Sequence, residues 1–209
     1  MTNIPVLPDV TFAVTTQGYS QAFQQAMQIY RAEFEAAVRL PIVKIRRLLS
    51  QGQYRLVIAQ EHQAVLGMAL VWGGNPPFVH LDYLAVAHEQ QGRGLGTALY
   101  RWLAQHLPQI FADATCLTLE VEDHLIPFYQ RSGTKLLVGV PYLFPGPHGP
   151  VPMHLMLHDP QVGNAVPGAT VKAIVAGLYQ GIHGRSHNDP VLCSLLANIP
   201  EIVKLAAQQ

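Results

Sequence analysis

The chain has 209 residues, and its 13 Lys plus Arg balance 13 Asp plus Glu, so the formal net charge is zero. That balance argues against a duplex-binding surface, no run approaches 18 apolar residues, and no N-terminal stretch combines the basic start and apolar middle of a signal peptide. A cytoplasmic protein with no nucleic-acid or membrane partner is expected. Charged residues make up only 12%, against about 25% in average chains, so a second subunit, as in a homodimer, is expected to cover apolar surface. Cys116 and Cys193 fit no metal or redox spacing, and Cys116, opening an apolar run, reads as core.

In chain order, Thr11 to Thr15 alternates as a first strand. Ser20 can cap a helix with Phe23, Ala26, Met27, Tyr30 and Phe34 on its apolar face. Pro41 opens a second helix with Ile42, Ile45, Leu48 and Leu49 inward, ended by Gly52. Tyr54 to Glu61 and Ala64 to Trp72 read as an antiparallel hairpin, stopped by Gly73 to Pro77, and Val79 to Val86 follows as a central strand. Leu95, Ala98, Leu99, Trp102 and Leu103 recur at helical spacing. Leu117 to Glu122 alternates and, joined to the central strand through that helix, is expected parallel to it. A short helix over Ile126 to Ser132 and a strand over Thr134 to Val140 come next. Then come a proline-rich loop over Pro141 to Pro152 and a last strand over Val151 to His158. Beyond it, Val171, Ile174, Val175 and Leu178 mark one helix, and Asp189-Pro190 starts another carrying Val191, Leu195 and Leu196.

Between the central strand and its helix stand Gly92, Gly94 and Gly96. The first N–H groups of a helix have no internal partners, and a turn without Cβ atoms lets a phosphate reach them, so the stretch reads as an anion cradle for a pyrophosphate. A purely conformational turn is the alternative. The Rossmann spacing and the Walker lysine are both absent. Gln91-x-x-Gly94-x-Gly96 directly behind Leu84-Ala85-Val86 resembles the acyl-CoA-binding signature of the GCN5-related N-acetyltransferases (GNAT), and the order of elements from about residue 10 to about residue 158 agrees with it. The resemblance implies an α+β fold: a mixed, mostly antiparallel twisted sheet of about seven strands flanked by helices. It implies a catalytic domain over 1–158, with a C-terminal helical extension over 159–209 packing on that domain or on a second subunit.

The resemblance also implies roles. Leu84, Ala85 and Val86 would offer a free backbone edge to the pantetheine arm of acetyl-CoA, in a gap between the central strand and its parallel neighbour. Gln91, Gly92, Arg93, Gly94, Leu95, Gly96 and Thr97 would hold the pyrophosphate, with Arg93 adding charge or standing as a solvated turn residue. Tyr129, four residues before Gly133, matches the tyrosine that faces the coenzyme sulfur and would return a proton to the thiolate; a core tyrosine is the alternative. His80 falls where arylalkylamine-type members carry a histidine and histone-type members a glutamate, and Asp82 matches a second histidine of the former. Strict alternation puts both on one face with Leu84 and Val86, as candidate bases. Glu120 and Glu122 can line the acceptor cleft, hold a cationic amine, or form a solvated strand face.

His148, His154 and His158 show no metal spacing, and no metal is expected. The loop with Tyr142, Phe144 and His148 can close over an acceptor or act as a rigid spacer. The acceptor would be enclosed by Glu33 to Pro41 and Pro141 to Pro152, with Arg31, Glu33, Glu35 and Arg39 as possible lining. The expected function is N-acetyl transfer from acetyl-CoA to a primary amine of a small molecule or peptide by direct attack in a ternary complex, since neither cysteine sits in the motif. A non-catalytic acyl-CoA-binding sensor or assembly module is the alternative.

Overall fold

Four alternating runs in the first half of the chain pair in sequence order. The computed structural model describes residues 7, 9–75, 77–146 and 149–207, and the chain divides into two units between Ala114 and Thr115. In the first unit, β1 (Val10–Thr15) leads to α1 (Gln21–Glu33) and α2 (Ile42–Ser50). Then follow β2 (Tyr54–Glu61), β3 (Ala64–Asn75), β4 (Phe78–Val86), α3 (Leu95–Gln105) and the short α4 (Leu107–Ile110). The Ser20 hydroxyl accepts from Phe23 N–H at 3.2 Å and so starts α1, satisfying one of the helix's orphan donors. Its buried face is Phe23, Ala26, Met27, Ile29 and Tyr30. β1, β2, β3 and β4 form an antiparallel ladder.

One irregularity in that ladder decides what faces what. Leu70 pairs with Tyr83 and Val71 with Leu81, so Asp82 is the extra residue of a β-bulge. Paired residues share a face, and a one-residue insertion reverses the alternation across it. His80, paired with Trp72, therefore lies on the face of Tyr83 and Ala85, whereas Leu84 and Val86 lie on the other with Gly67. The single face expected for His80, Asp82, Leu84 and Val86 is corrected accordingly. The Tyr83 ring meets Tyr30 edge-on at 4.8 Å, so α1 covers the Tyr83 face. A Cβ placed on Gly67 would touch Leu99 at 3.6 Å, so α3 covers the opposite one.

The second unit is built on an antiparallel ladder of β5 (Cys116–Val121), β6 (Lys135–Leu137) and β9 (His154–His158), with β9 between the other two. α5 (Ile126–Gln130) lies between β5 and β6 in the chain. Four strands here and three there make the seven that the resemblance implies. The expected loop over Pro141 to Pro152 instead contains a hairpin, β7 (Leu143–Gly146) with β8 (Gly149–Pro152). Proline is tolerated there because a two-stranded ribbon consists entirely of edge strands. The last strand accordingly begins only at His154, after Met153 N–H has bonded to Tyr142 O at 3.1 Å.

Beyond β9 the chain adds β10 (Ala165–Pro167), α6 (Gly168–Gly177), a π-helical turn over Leu178–Ile182, α7 (Pro190–Asn198) and β11 (Ile202–Ala206). Both helices were expected, and the Asp189 carboxylate caps α7 by accepting from Val191 and Leu192 N–H. The two strands were not. β11 pairs with β6 on one side and β10 on the other, which weaves residues 159–207 into the ladder of this unit.

Candidate functional site

The turn between β4 and α3 is held by glycine. Gly92 and Gly94 have φ of 74° and 81°, values in the left-handed region that L side chains resist. The first internal bond of α3 runs from Ala98 N–H to Gly94 O at 3.0 Å, so the N–H groups of Leu95, Gly96 and Thr97 have no partner within the helix. Together with the helix dipole they form an anion-facing end. Gln91 plays a different part. Its backbone N–H bonds to His88 O, and its side-chain Nε2 donates to Val86 O at 3.2 Å and to Glu33 Oε2 at 2.7 Å. The side chain thus ties the turn to the end of β4 and the end of α1. Arg93 donates to Gln90 Oε1 at 2.6 Å and stays on the turn. Behind it, Leu84, Ala85 and Val86 pair with Ala69, Met68 and Gly67.

Asp82 stands on the α1 side of the bulge, where the Tyr54 hydroxyl donates to its carboxylate. The Tyr83 hydroxyl donates to Val38 O at 2.7 Å and accepts from Leu40 N–H at 3.2 Å, and the Tyr30 hydroxyl donates to Leu40 O at 3.3 Å. The α1–α2 connection is therefore fastened to β4 by phenols. Burial, reinforced by the charge of Asp82, pushes Tyr54 and Tyr83 well above the ordinary tyrosine range. Burial pushes Tyr30 up to about 12. All three are protonated donors around one half-buried carboxylate, whereas His80 is only 2% exposed. Beside this group, a cavity of about 360 Å³ is lined by Tyr30, Arg31, Ala36, Arg39, Leu40, Pro41, Ile42 and Val43. Arg31 and Arg39 line this cavity, while Glu33 is engaged by Gln91.

In the second unit, α5 buries Tyr129, with the Phe128 ring edge-on at 4.8 Å. Burial pushes its phenol above the ordinary range, so it carries its proton at neutral pH. Tyr129 O caps the helix end by accepting from Ser132 and Thr134 N–H, across the left-handed Gly133. On β5, Glu120 turns inward. It accepts from the Tyr142 hydroxyl, and His183 Nε2 lies 3.4 Å from the same oxygen. Glu122 lies past the strand's end, in an exposed pair with His124. Sequence reasoning missed His183 as well as the parts played by Tyr54 and Tyr83; the Gly-Ile-His-Gly context of His183 carries no motif that would have found it.

The remaining candidates stand apart. Burial raises the Cys116 thiol to about 11, which suits a core residue and not a nucleophile. His154 pairs with the exposed Asp123, and burial lowers His158. His148 lies outside the described residues. Among the described residues no group of three His, Cys, Asp or Glu side chains is placed to hold a metal ion, and no helix is long and apolar enough to cross a membrane.

Known proteins match this architecture. Over 84% of this chain and 99% of the other, the fold superposes with TM-score 0.69 at 21% identity on a structure from Bacteroides thetaiotaomicron described as an acetyltransferase of the GNAT family. The ribosomal-protein-S18-alanine N-acetyltransferase of Escherichia coli matches with TM-score 0.53 at 16% identity, over 74% of this chain and 96% of that one. A GNAT-family acetyltransferase from Elizabethkingia anophelis, solved with acetyl-CoA bound, matches with TM-score 0.52 at 14% identity, over 73% and 99%. A curated relative, an uncharacterised protein of Dictyostelium discoideum, is 28% identical in an alignment 135 positions long that covers 59% of this chain but only 30% of that protein's length. The family model described as the acetyltransferase (GNAT) family matches residues 20–134, more than half of the chain, and the protein belongs to the GNAT acetyltransferase family, with that family's α+β fold.

Proposed function

We propose that the protein transfers the acetyl group of acetyl-CoA to a primary amine of a small molecule or peptide, by direct attack in a ternary complex. One observation carries this reading: two left-handed glycines deliver three unpaired N–H groups of α3 immediately behind the Leu84-Ala85-Val86 strand end. A diphosphate is the kind of group such an end attracts. In this reading the backbone of Leu84, Ala85 and Val86 receives the pantetheine arm. The turn from Gly92 to Thr97 binds the pyrophosphate, with Gln91 bracing it through its side chain. The acetyl-CoA in the Elizabethkingia relative supports the same co-substrate here.

Tyr129 supplies the proton for the departing thiolate. Burial keeps the phenol protonated; an ordinary phenol is already a weaker acid than a thiol by roughly 2 kcal/mol, and burial widens that gap, so the transfer has to be coupled to C–S cleavage. On β4, Asp82 with its Tyr54 donor can orient the amine of the acceptor, and His80 supports the strand from its buried position. The two guanidinium groups of the 360 Å³ cavity favour an acceptor that carries a carboxylate or another anionic group besides its amine. The low charge content favours a homodimer, whose second subunit would cover apolar surface.

The test is thiol release from acetyl-CoA with n-butylamine, 2-phenylethylamine, spermidine and alanyl-glycyl-glycine, alongside calorimetric titration of the coenzyme. Release with at least one amine is expected. Coenzyme binding without release would leave a sensor or assembly module, and absence of both would overturn the reading.

A further inference from the structure

The helix pair α1 and α2 carries more positive charge than the neutral chain implies. Of the 13 Lys and Arg, five fall between residues 31 and 47, namely Arg31, Arg39, Lys44, Arg46 and Arg47, against two acidic residues there, Glu33 and Glu35. Glu33 is taken by the Gln91 amide. Next to the 360 Å³ cavity, a second one of about 280 Å³ opens between the two helices. Gln24, Gln28 and Arg31 line it from positions i, i+4 and i+7 of α1, and Ile42 and Arg46 from positions i and i+4 of α2, the spacings that put side chains on one helix face. Phe23 and Met27, both buried, form its floor. No acidic side chain lines it. Its volume lies at the lower end of the range of about 300–1,000 Å³ for small-molecule sites.

Arg46 is held before any ligand arrives. Its Nε–H donates to Gly18 O at 2.9 Å, and its guanidinium lies over the Tyr19 ring at 4.6 Å and the Phe23 ring at 5.4 Å, contacts that attract a cation. Its stem runs so close to the chain at Gly18 that a Cβ there would come within 3.0 Å of Cγ. These contacts leave the Nη groups without a hydrogen-bond partner among the described residues. No carboxylate among those residues pairs with Arg46 or with Arg31. A guanidinium already fixed at Nε loses little freedom when its remaining N–H groups meet an oxyanion, and such bonds are charge-assisted.

The geometry points to this cavity as a second binding site, for a small molecule that joins an oxyanion, a carboxylate or a phosphate monoester, to an apolar body. Arg46 and Arg31 take the oxyanion, the side-chain amides of Gln24 and Gln28 flank it, and Phe23, Met27 and Ile42 receive the body. The site is distinct from the 360 Å³ cavity, which Arg39 lines and Arg46 does not, although Arg31 belongs to both. It requires neither the coenzyme nor acetyl transfer.

The test is calorimetric titration of the full chain, without coenzyme, with phenylacetate, phenyl phosphate and the neutral 2-phenylethanol. Phenylacetate or phenyl phosphate should bind at millimolar or lower concentration, the tighter of the two identifying the oxyanion, and 2-phenylethanol should bind at least about tenfold more weakly. Arg46→Gln and Arg31→Gln should each weaken binding of the anion about tenfold, whereas Arg39→Gln should leave it unchanged. Because Arg46 also braces the chain at Gly18, amide spectra of the wild-type protein supply a readout that no variant can confound: the anion should shift Gln24, Gln28 and Arg46. Absence of binding by both anions, equal binding of the alcohol, or shifts confined to Ala36, Arg39 and Leu40 would overturn the site. None of these measurements involves thiol release, so their failure leaves the acetyl-transfer reading standing, and failure of that reading leaves the site standing.

Discussion

Each unit holds one carboxylate against a tyrosine hydroxyl: Asp82 against Tyr54 in the first, Glu120 against Tyr142 in the second. They differ in what else surrounds them. Asp82 sits half-buried in a β-bulge beside three protonated phenols, one of which, Tyr54, donates to it. Glu120 meets the imidazole of His183 at 3.4 Å. Two similar carboxylate–phenol pairs thus keep different company: one stands among phenols, the other between a phenol and an imidazole. The difference arises because Asp82 is placed by a strand irregularity, whereas Glu120 is met by a helix turn arriving from 63 residues further along the chain.

The largest expected effect separates coenzyme binding from chemistry. Tyr129→Phe should lower the acetyl-transfer rate about 100-fold while leaving coenzyme affinity, measured by calorimetry, within about twofold, since the turn from Gly92 to Thr97 is untouched; equal loss of both would merge the two roles. Glycines offer the next contrast. A Cβ at Gly168 would come within 2.0 Å of Pro200 O, whereas one at Gly92 meets nothing within 4 Å. Gly168→Ala should therefore cost about 3 kcal/mol in urea unfolding, and Gly92→Ala only about 1 kcal/mol, from its positive φ.

The carboxylate pairs can be compared directly. Tyr142→Phe strips a donor from a side chain that is 8% exposed and should cost about 1–3 kcal/mol. Tyr54→Phe should cost less, because water can reach Asp82 in its place; a larger loss for Tyr54→Phe would reverse the ranking. The mildest contrast lies in alkaline solution. Tyr30 and Tyr179, one in each unit, are both raised from 10 to about 12, chiefly by burial. A raised folded-state pKa means that stability is complete below about pH 10 and is lost as the pH climbs toward 12, because the unfolded chain releases its protons first. Urea midpoints should fall over that window, and Tyr30→Phe and Tyr179→Phe should each flatten the fall.

The hairpin of β2 and β3, the capped α1 and the glycine turn were legible because each is specified by residues within a few positions of one another. Ser20 lies three residues from the N–H it caps, and Gly94 supplies its own φ. The bulge at Asp82 was not legible, because an alternating run does not show where its partner strand skips a residue. The β7–β8 hairpin was hidden by prolines that an isolated ribbon tolerates. Residues Ile202 to Ala206 do alternate between exposed and buried, a period-two signal that five residues carry only weakly.

The acetyltransferase architecture and the glycine-turned N-terminus of α3 are properties of the sequence itself, since short-range backbone preference and hydrophobic period decide them. The surroundings of His80, Asp82 and Glu120 are a property of the tertiary structure. The face that His80 takes depends on a cross-strand register, and the partners of Asp82 and Glu120 come from 28, 22 and 63 residues away. Contacts at that range are chosen by packing, which no local spacing records.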